Sequence, residues 1–564
     1  MDISCDEQII SPVYADFITQ FDGDVNTIKN LYQTDCVIAI DGLFAIFTAP
    51  QESMDAIGFY GYNAVPKLYG LMDSSNMDSA GVINVRQQPY LNLTGQDVLV
   101  GIIDTGIDYT HPAFRNIDGS TRIEAIWDQS DDSGSAPPNL GYGSEYTAEL
   151  INRALNSDMP YEIVPQQDTN GHGTFMAGIA AGNEILEQDF TGAAPGSSLL
   201  VVKLKPAKRY LRGYYLIPDG VEAYQENDIM AAMYYMRQYA MQKQKPLSIL
   251  IGLGTNSGDH NGNSYLSSYI NYLGNLRGIS ISAPVGNEGN RAAHYYGVLD
   301  TDSDMQDVEF RVGENTRGFM MELWARAPDV YTIGLIAPGG EQVRRIQPRY
   351  DQVIEENFLL EPARVYIRYF LVESASGNQV IVIRLNMPSA GIWRLRVYGE
   401  RILYGDFNLW MPISTFVSDG TYFLKPEPNN TVTSPGDSLR SINTAAYNHM
   451  NQTSYILSGR GYTPEGMIVP DISAPGVSIF GPAPDGRYTR RTGTSVAAAH
   501  SAGAAALLLE WGIYRRNNLN IDSTEIKKLL IRGARRSLAL DYPNRIWGYG
   551  ELDVYNVFLY VSIT

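Results

Sequence analysis

Three short segments, far apart in the chain, carry residues that could work together as acid, base and nucleophile. Gly493-Thr494-Ser495-Val496-Ala497-Ala498-Ala499 places a serine where a glycine turn opens an alanine-rich helix. A serine hydroxyl is a poor nucleophile until a base takes its proton and its position is fixed. A helix start fixes it and brings the positive end of the helix dipole close. Val98-Leu99-Val100-Gly101-Ile102-Ile103-Asp104 is an apolar, β-branched run that reads as a buried parallel strand. It ends in Asp104, and in open α/β sheets the working residues sit at the carboxyl ends of strands. Asn170-Gly171-His172-Gly173 holds one of only six histidines between two glycines, at the start of a helix of small residues. The elements needed to position the three groups are therefore one strand end and two helix starts.

Asp, His, Ser is one of the known chain orders of a catalytic triad. The segments Asp104-Thr105-Gly106, His172-Gly173-Thr174 and Gly493-Thr494-Ser495 match the three signatures of the subtilisin-type serine proteases, and the chain resembles that family. The resemblance implies that Ser495 attacks a peptide carbonyl, that His172 takes and passes on its proton, and that Asp104 holds the imidazole. It also implies that Asn287, in Val285-Gly286-Asn287-Glu288-Gly289, donates its amide to the oxyanion, with the Ser495 backbone N–H as second donor. Ser248-Ile249-Leu250-Ile251-Gly252-Leu253-Gly254 resembles the strand that pairs with substrate backbone, so Gly252, Leu253 and Gly254, with Pro284 and Gly286, are the implied binding residues. The family usually has serine where Gly252 stands and small residues where Pro284 and Val285 stand, so the pocket walls are altered.

The chain has 564 residues, more than one compact core usually serves, and a formal net charge of −20. That charge argues against nucleic-acid or anionic-membrane partners. No apolar run reads as long enough to span a bilayer. The N-terminus shows no basic segment followed by an apolar one, so a cytoplasmic or spore-associated location is expected. The two cysteines, Cys5 and Cys36, give no disulfide framework and fit a reducing compartment. No EF-hand-like ligand run appears, and neither metal nor cofactor is expected.

The spacings divide the chain into 1–72, 73–300, 301–425 and 426–564. The first part mixes polar helical stretches with apolar runs on either side of Asp41-Gly42, a strong hairpin signal. It resembles the small α/β prodomain that subtilases use as folding aid and inhibitor. Self-cleavage is expected within residues 68–77, near Tyr69-Gly70-Leu71-Met72-Asp73, since intramolecular cutting benefits from high effective concentration. The stretch between Asn287 and Ser495 is far longer than a bare subtilisin core needs. It reads β throughout: Val365-Tyr366-Ile367-Arg368-Tyr369-Phe370, Val380-Ile381-Val382-Ile383-Arg384-Leu385 and Trp393-Arg394-Leu395-Arg396-Val397-Tyr398 are strand-like, separated by turn signals. The expected architecture is α/β: a subtilisin-like three-layer core with a parallel sheet, a small α+β prodomain, and an inserted all-β, jelly-roll-like domain expected to stiffen the core.

That architecture resembles the clostridial germination-specific (Csp-type) proteases, as does the Gly493-to-Ala499 wording. Members of that group trim the zymogen of a cortex-degrading hydrolase during spore germination. The resemblance implies a self-processing serine endopeptidase, with a protein or peptide as substrate and its own prodomain as inhibitor. Two other readings stay open: a broad-specificity intracellular or gut-associated subtilase, and a self-inhibited sensor whose prodomain never leaves.

Overall fold

The computed structural model describes residues 4–51, 61–72, 92–301, 304–348 and 352–561, and every count below is of those residues. Residues 73–77 of the expected cleavage window lie outside them.

A nine-stranded sheet forms the centre. Leu99–Asp104 lies in its middle, parallel to Leu247–Ile251 on one side and to Ser198–Lys203 on the other. All six residues of Leu99–Asp104 are buried, which is why the strand reads as a continuous apolar run rather than an alternation. Ile279–Pro284, Ile442–Asn448 and Ile472–Pro475 extend the parallel order on one flank, and Ile123–Asp128 on the other. One face is covered by the helices His172–Ala181 and Thr494–Leu509, the other by Glu226–Lys243 and Tyr265–Leu273. The three-layer α/β arrangement follows, with strand ends and helix starts converging at one edge.

The Thr494 helix is longer and more apolar than the sequence reading allowed. Continued through the π turn Glu510–Tyr514, it passes for a membrane span by length and composition, yet 89 % of its most apolar window is buried in the protein. Its alanines and leucines face neighbouring helices and sheet on all sides, which makes it a core helix.

The N-terminal residues form a three-stranded antiparallel sheet, Tyr14–Gln20, Phe44–Pro50 and Val37–Ile40, with the helices Cys5–Ile10 and Val25–Tyr32. Asp41 and Gly42 both take positive φ between the paired strands, the backbone that a tight hairpin turn requires. Ile18, Ile38, Ile40, Phe44 and Ile46 pack into the same buried cluster as Met233, Ala240 and Tyr269 of the core helices.

The cysteines require a correction. Cys5 and Cys36 are joined in a disulfide across a separation of 31 residues. Cys5 opens the first helix and Cys36 directly precedes Val37–Ile40; packing of Ile9 into the cluster that holds Cys36 and Ile38 brings the two Cα atoms to 4.7 Å. Two cysteines far apart in sequence carry no sign of that approach, and the bond removes the argument for a reducing compartment.

The β-rich stretch builds a six-stranded and a five-stranded antiparallel sheet that share one core, including Phe310, Phe319, Trp393, Leu395 and Phe407. Gly391–Arg401 alternates as its sequence suggested: Trp393, Leu395 and Val397 point inward, while Arg394 and Arg396 pair outward with Glu309 and Asp307. The first strand of the sandwich, His294–Val298, precedes the boundary expected at 301 and pairs with Asp406–Trp410.

Candidate active site

Asp104 is the last residue of its strand, and Thr105 N–H donates to its Oδ1 at 2.8 Å. The same Oδ1 accepts from His172 Nδ1 at 2.7 Å, with both side chains buried. Donation from Nδ1 leaves Nε2 as the acceptor, and Nε2 lies 3.2 Å from Ser495 Oγ. The three residues named from sequence thus meet in the order a serine nucleophile requires.

Asp168, which sequence reasoning missed, holds the histidine loop in place. Its carboxylate accepts from Thr105 Oγ1, Gly171 N, Thr174 N and Thr174 Oγ1, all at 2.7–2.8 Å. Thr105 Oγ1 in turn accepts from Gly173 N at 2.9 Å. The strand end carrying the acid and the helix start carrying the base are therefore fastened to each other through one buried carboxylate. The close approach also explains Gly173, where a Cβ would run into the Gly106 carbonyl. Nearby Glu222 accepts from Asn170 Nδ2 at 2.8 Å; burial first, then the neighbouring charges of Asp104 and Asp168, raise its pKa above the ordinary carboxylate value.

Asn287 lies on the loop after Ile279–Pro284. Its Oδ1 accepts from Thr494 N and Thr494 Oγ1, each at 3.1 Å. Fixing the oxygen of a planar amide turns its NH2 the other way. The loop is held from behind by Glu288, whose carboxylate accepts from Ser414 N at 3.1 Å and Ser414 Oγ at 3.0 Å. Full burial pushes the Glu288 carboxyl up to about 6.

The groove is filled by the chain itself. Leu68–Leu71 pairs antiparallel with Leu253–Gly254 on one edge and with Tyr224–Gln225 on the other. Met72 N donates to Gly252 O at 3.3 Å, and the Met72 carbonyl accepts from Ser495 N at 2.9 Å while touching Ser495 Oγ. The Met72 side chain packs beside Gly254, its Cε only 3.0 Å from where a Cβ on that glycine would sit. Gly286, at positive φ, closes on Thr433, the residue that Gly254 also faces. Pro284 ends its strand beside Thr444, its carbonyl packed against Gly436. Gly252, whose carbonyl accepts from Met72 N, also abuts the acid–base pair: a Cβ there would stand 2.5 Å from Asp104 Oδ2 and 3.0 Å from His172 Cε1. Among the described residues no cluster of three or more His, Cys, Asp or Glu is arranged to hold a metal ion.

A sequence model of the subtilase family matches residues 95–301 and 342–550, well over half of the chain. The chain belongs to the subtilase family. Among solved structures this subtilase is similar to the CspB protease of Clostridium perfringens, with 30 % identity and a TM-score of 0.76 over 85 % of this chain and 95 % of that one. Among curated proteins it is similar to the subtilisin-like protease SBT2.4 of Arabidopsis thaliana, 32 % identical over 18 % of this chain and 14 % of the relative. The subtilisin-like protease SBT3 of Solanum lycopersicum is 24 % identical over 73 % of this chain and 55 % of that protein. This subtilase thus spans less than two thirds of the length of either plant relative.

Proposed function

We propose that this subtilase is a serine endopeptidase that cuts its own chain after Met72 and then acts on a protein substrate. The observation that carries the reading is the Met72 carbonyl, received by the Ser495 N–H at 2.9 Å while the preceding strand is paired on both edges. In this reading Ser495 Oγ adds to the Met72 carbonyl carbon as His172 Nε2 takes its proton. The oxyanion is held by the Ser495 N–H and the Asn287 amide. Collapse of the tetrahedral intermediate breaks the bond to the Asp73 nitrogen, which leaves with the proton from His172. Water then releases Met72 as a carboxylate. Asp104 keeps the Nδ1–H tautomer throughout.

Residues 1–72 act as the prodomain and intramolecular inhibitor, and 301–425 as the jelly-roll insert between the two parts of the catalytic core, 73–300 and 426–564. Intact-mass measurement of the purified protein tests the cut: two fragments meeting at Met72 and Asp73 are expected from the natural sequence, and one uncut chain from Ser495→Ala. Two fragments from Ser495→Ala would rule out self-cleavage.

Similarity to a clostridial Csp protease over most of both chains supports the finer reading, activation of a spore cortex-lytic zymogen during germination by a spore-associated enzyme. Cleavage of such a zymogen in preference to casein tests it against a broad-specificity subtilase. The buried contacts that fasten residues before the proposed cut to the core, Asp16 of the N-terminal sheet to Lys208 at 2.6 Å and Lys67, next to the groove strand, to Glu226 at 3.7 Å, favour one further reading, a self-inhibited protein whose prodomain stays bound. A fluorophosphonate probe separates the two: labelling of Ser495 in the processed protein supports an open enzyme.

A further inference from the structure

Counted back from the Met72 carbonyl, Gly70 is the third residue before the cut. It is the glycine of the bound strand, and the space a side chain would need there is already occupied, by the segment that leaves the β sandwich. A Cβ on Gly70 would stand 2.6 Å from Ile413 Cδ1, 3.2 Å from Thr415 Oγ1 and 3.3 Å from Phe416 Cε1. Real Cβ contacts essentially never fall below about 3.0 Å, so something would have to move. Gly70 carries no positive φ, so the backbone itself would accept any residue, and the restriction is steric alone.

The three neighbours lie on the segment that leaves the strand Asp406–Trp410 and runs through the short turn Ser414–Phe416. That segment is pinned at both ends. At its start Met411 N donates to Ala293 O at 2.9 Å, and Met411 O accepts from Asn256 Nδ2 at 3.1 Å. Toward its end Ser414 is bonded twice to Glu288, the neighbour of Asn287. Ile413 is 1 % exposed and belongs to a buried cluster with Trp410, Phe416, Met320, Leu68 and Met72. With the backbone pinned, a larger residue at position 70 enters only if the Ile413 Cδ1 methyl, the end of its side chain, turns within a buried and packed cluster.

We infer that this connector makes the sandwich a specificity element: Ile413, backed by Thr415 and Phe416, selects glycine at the third residue before the cut. The inference rests on the proposal that residues 68–72 occupy the groove as a substrate does. The class of substrate it assigns is a protein segment in extended conformation with glycine third and an apolar residue last before the scissile bond.

The test uses the full chain made by cell-free translation, with the cut after Met72 followed by mass spectrometry against time. Gly70→Ala is expected to slow the cut at least tenfold, and Ile413→Ala in the same chain to restore most of the rate. Ile413→Ala alone supplies the reference rate for that pair, since it removes the contact whether or not residue 70 carries a Cβ. In trans, the processed enzyme carrying Asp16→Asn, from which the N-terminal piece is expected to separate, is given Tyr-Gly-Leu-Met and Tyr-Ala-Leu-Met peptides extended past the methionine; it should favour the glycine peptide, and Ile413→Ala should narrow the difference. Natural-rate cutting by Gly70→Ala, or a slowed cut that Ile413→Ala does not restore, overturns the inference. No cut in the natural chain overturns the self-processing reading instead. If Gly70→Ala fails to fold, the peptide pair decides: equal cleavage of the two peptides overturns the inference.

Discussion

Replacing Asn287 with alanine tests the oxyanion geometry. The Met72 carbonyl accepts from Ser495 N–H at 2.9 Å, and the Asn287 amide, whose oxygen Thr494 holds, is the proposed second oxyanion donor. Loss of one preorganised donor costs about 2.7–4 kcal/mol of transition-state stabilisation, roughly 10²–10³ in rate. Asn287 is only partly buried, so truncation leaves the core packing alone. Thr494 acts through Asn287, since its Oγ1 and N–H both hold the amide oxygen at 3.1 Å. Thr494→Val removes the hydroxyl bond and keeps the backbone bond. A neutral hydrogen bond is worth about 1 kcal/mol net, so the cut should slow about fivefold. If Thr494 works by aiming Asn287, Thr494→Val should add nothing on the Asn287→Ala background, a complete failure of additivity. The assay is the time course of the cut after Met72 following cell-free translation, with Ser495→Ala as the uncut limit. Cutting by Asn287→Ala within threefold of the natural rate would refute the donor role. A full fivefold effect of Thr494→Val in the double variant would refute the aiming role.

Glu288 gives a pH prediction. Its carboxyl is raised by burial from 4.5 to about 6, so the fold prefers the protonated form; that contribution is present below about pH 4.5 and is lost as pH rises through about 6. Glu288→Gln should flatten the fall of melting temperature between pH 5 and 7, removing about 2 kcal/mol of pH-dependent stability, with Asp437, also raised to about 6, leaving a residual slope; an unchanged slope counts against it. Asp16, fully buried, accepts from Lys208 Nζ at 2.6 Å and from Gln225 Nε2 at 2.8 Å. Asp16→Asn leaves a buried ammonium without its counter-charge, a loss of about 3–5 kcal/mol, so the N-terminal piece should separate from the core on gel filtration after processing where the natural piece co-elutes. Reducing the Cys5–Cys36 bond, which closes a loop of 31 residues, should weaken the N-terminal unit by about 3–4 kcal/mol, read as earlier loss of that unit to protease; equal resistance with and without reductant would sink the claim.

The readability of this chain follows the range of the forces involved. Asp104, His172 and Ser495 were legible because each sits in a local pattern that fixes its own backbone: a strand end, a glycine-flanked helix start, a glycine turn into a helix. The Asp41-Gly42 hairpin and the alternation of Trp393, Leu395 and Val397 were legible for the same reason. Asp168 was not, since Gln166-Gln167-Asp168-Thr169 looks like any polar loop until Thr105 and Thr174 close on it. The disulfide needed the packing of the first helix, and the burial of the Thr494 helix needed its neighbours. Gly252 was placed in the binding set, and its carbonyl accepts from Met72 N; that it also abuts Asp104 and His172 was not legible, because it depends on the strand breaking between Ile251 and Leu253 just as it passes them.

Why a protease would hold its own chain in the groove follows from how binding is distributed. The pairing of Leu68–Leu71 with two strands is available to any extended peptide and carries little selectivity. The selective contacts lie elsewhere: in the Gly70 constriction and in the N-terminal sheet packed on Glu226–Lys243. The proposed cleavage would turn the Met72 carbonyl into a carboxylate but alter neither of these. On the proposed reading the product would stay seated for as long as the sheet stays docked, and a competing substrate would meet an effective local concentration of tail that no dilute peptide matches. Displacement has to begin at the docked sheet, at Asp16 and Lys208 or at Arg237 and Asp41, rather than at Ser495. If the proposed self-inhibition holds, such an enzyme would be controlled by whatever loosens a surface some distance from its nucleophile, and its groove could remain complete, with Asp104, His172 and Ser495 assembled, while it waits.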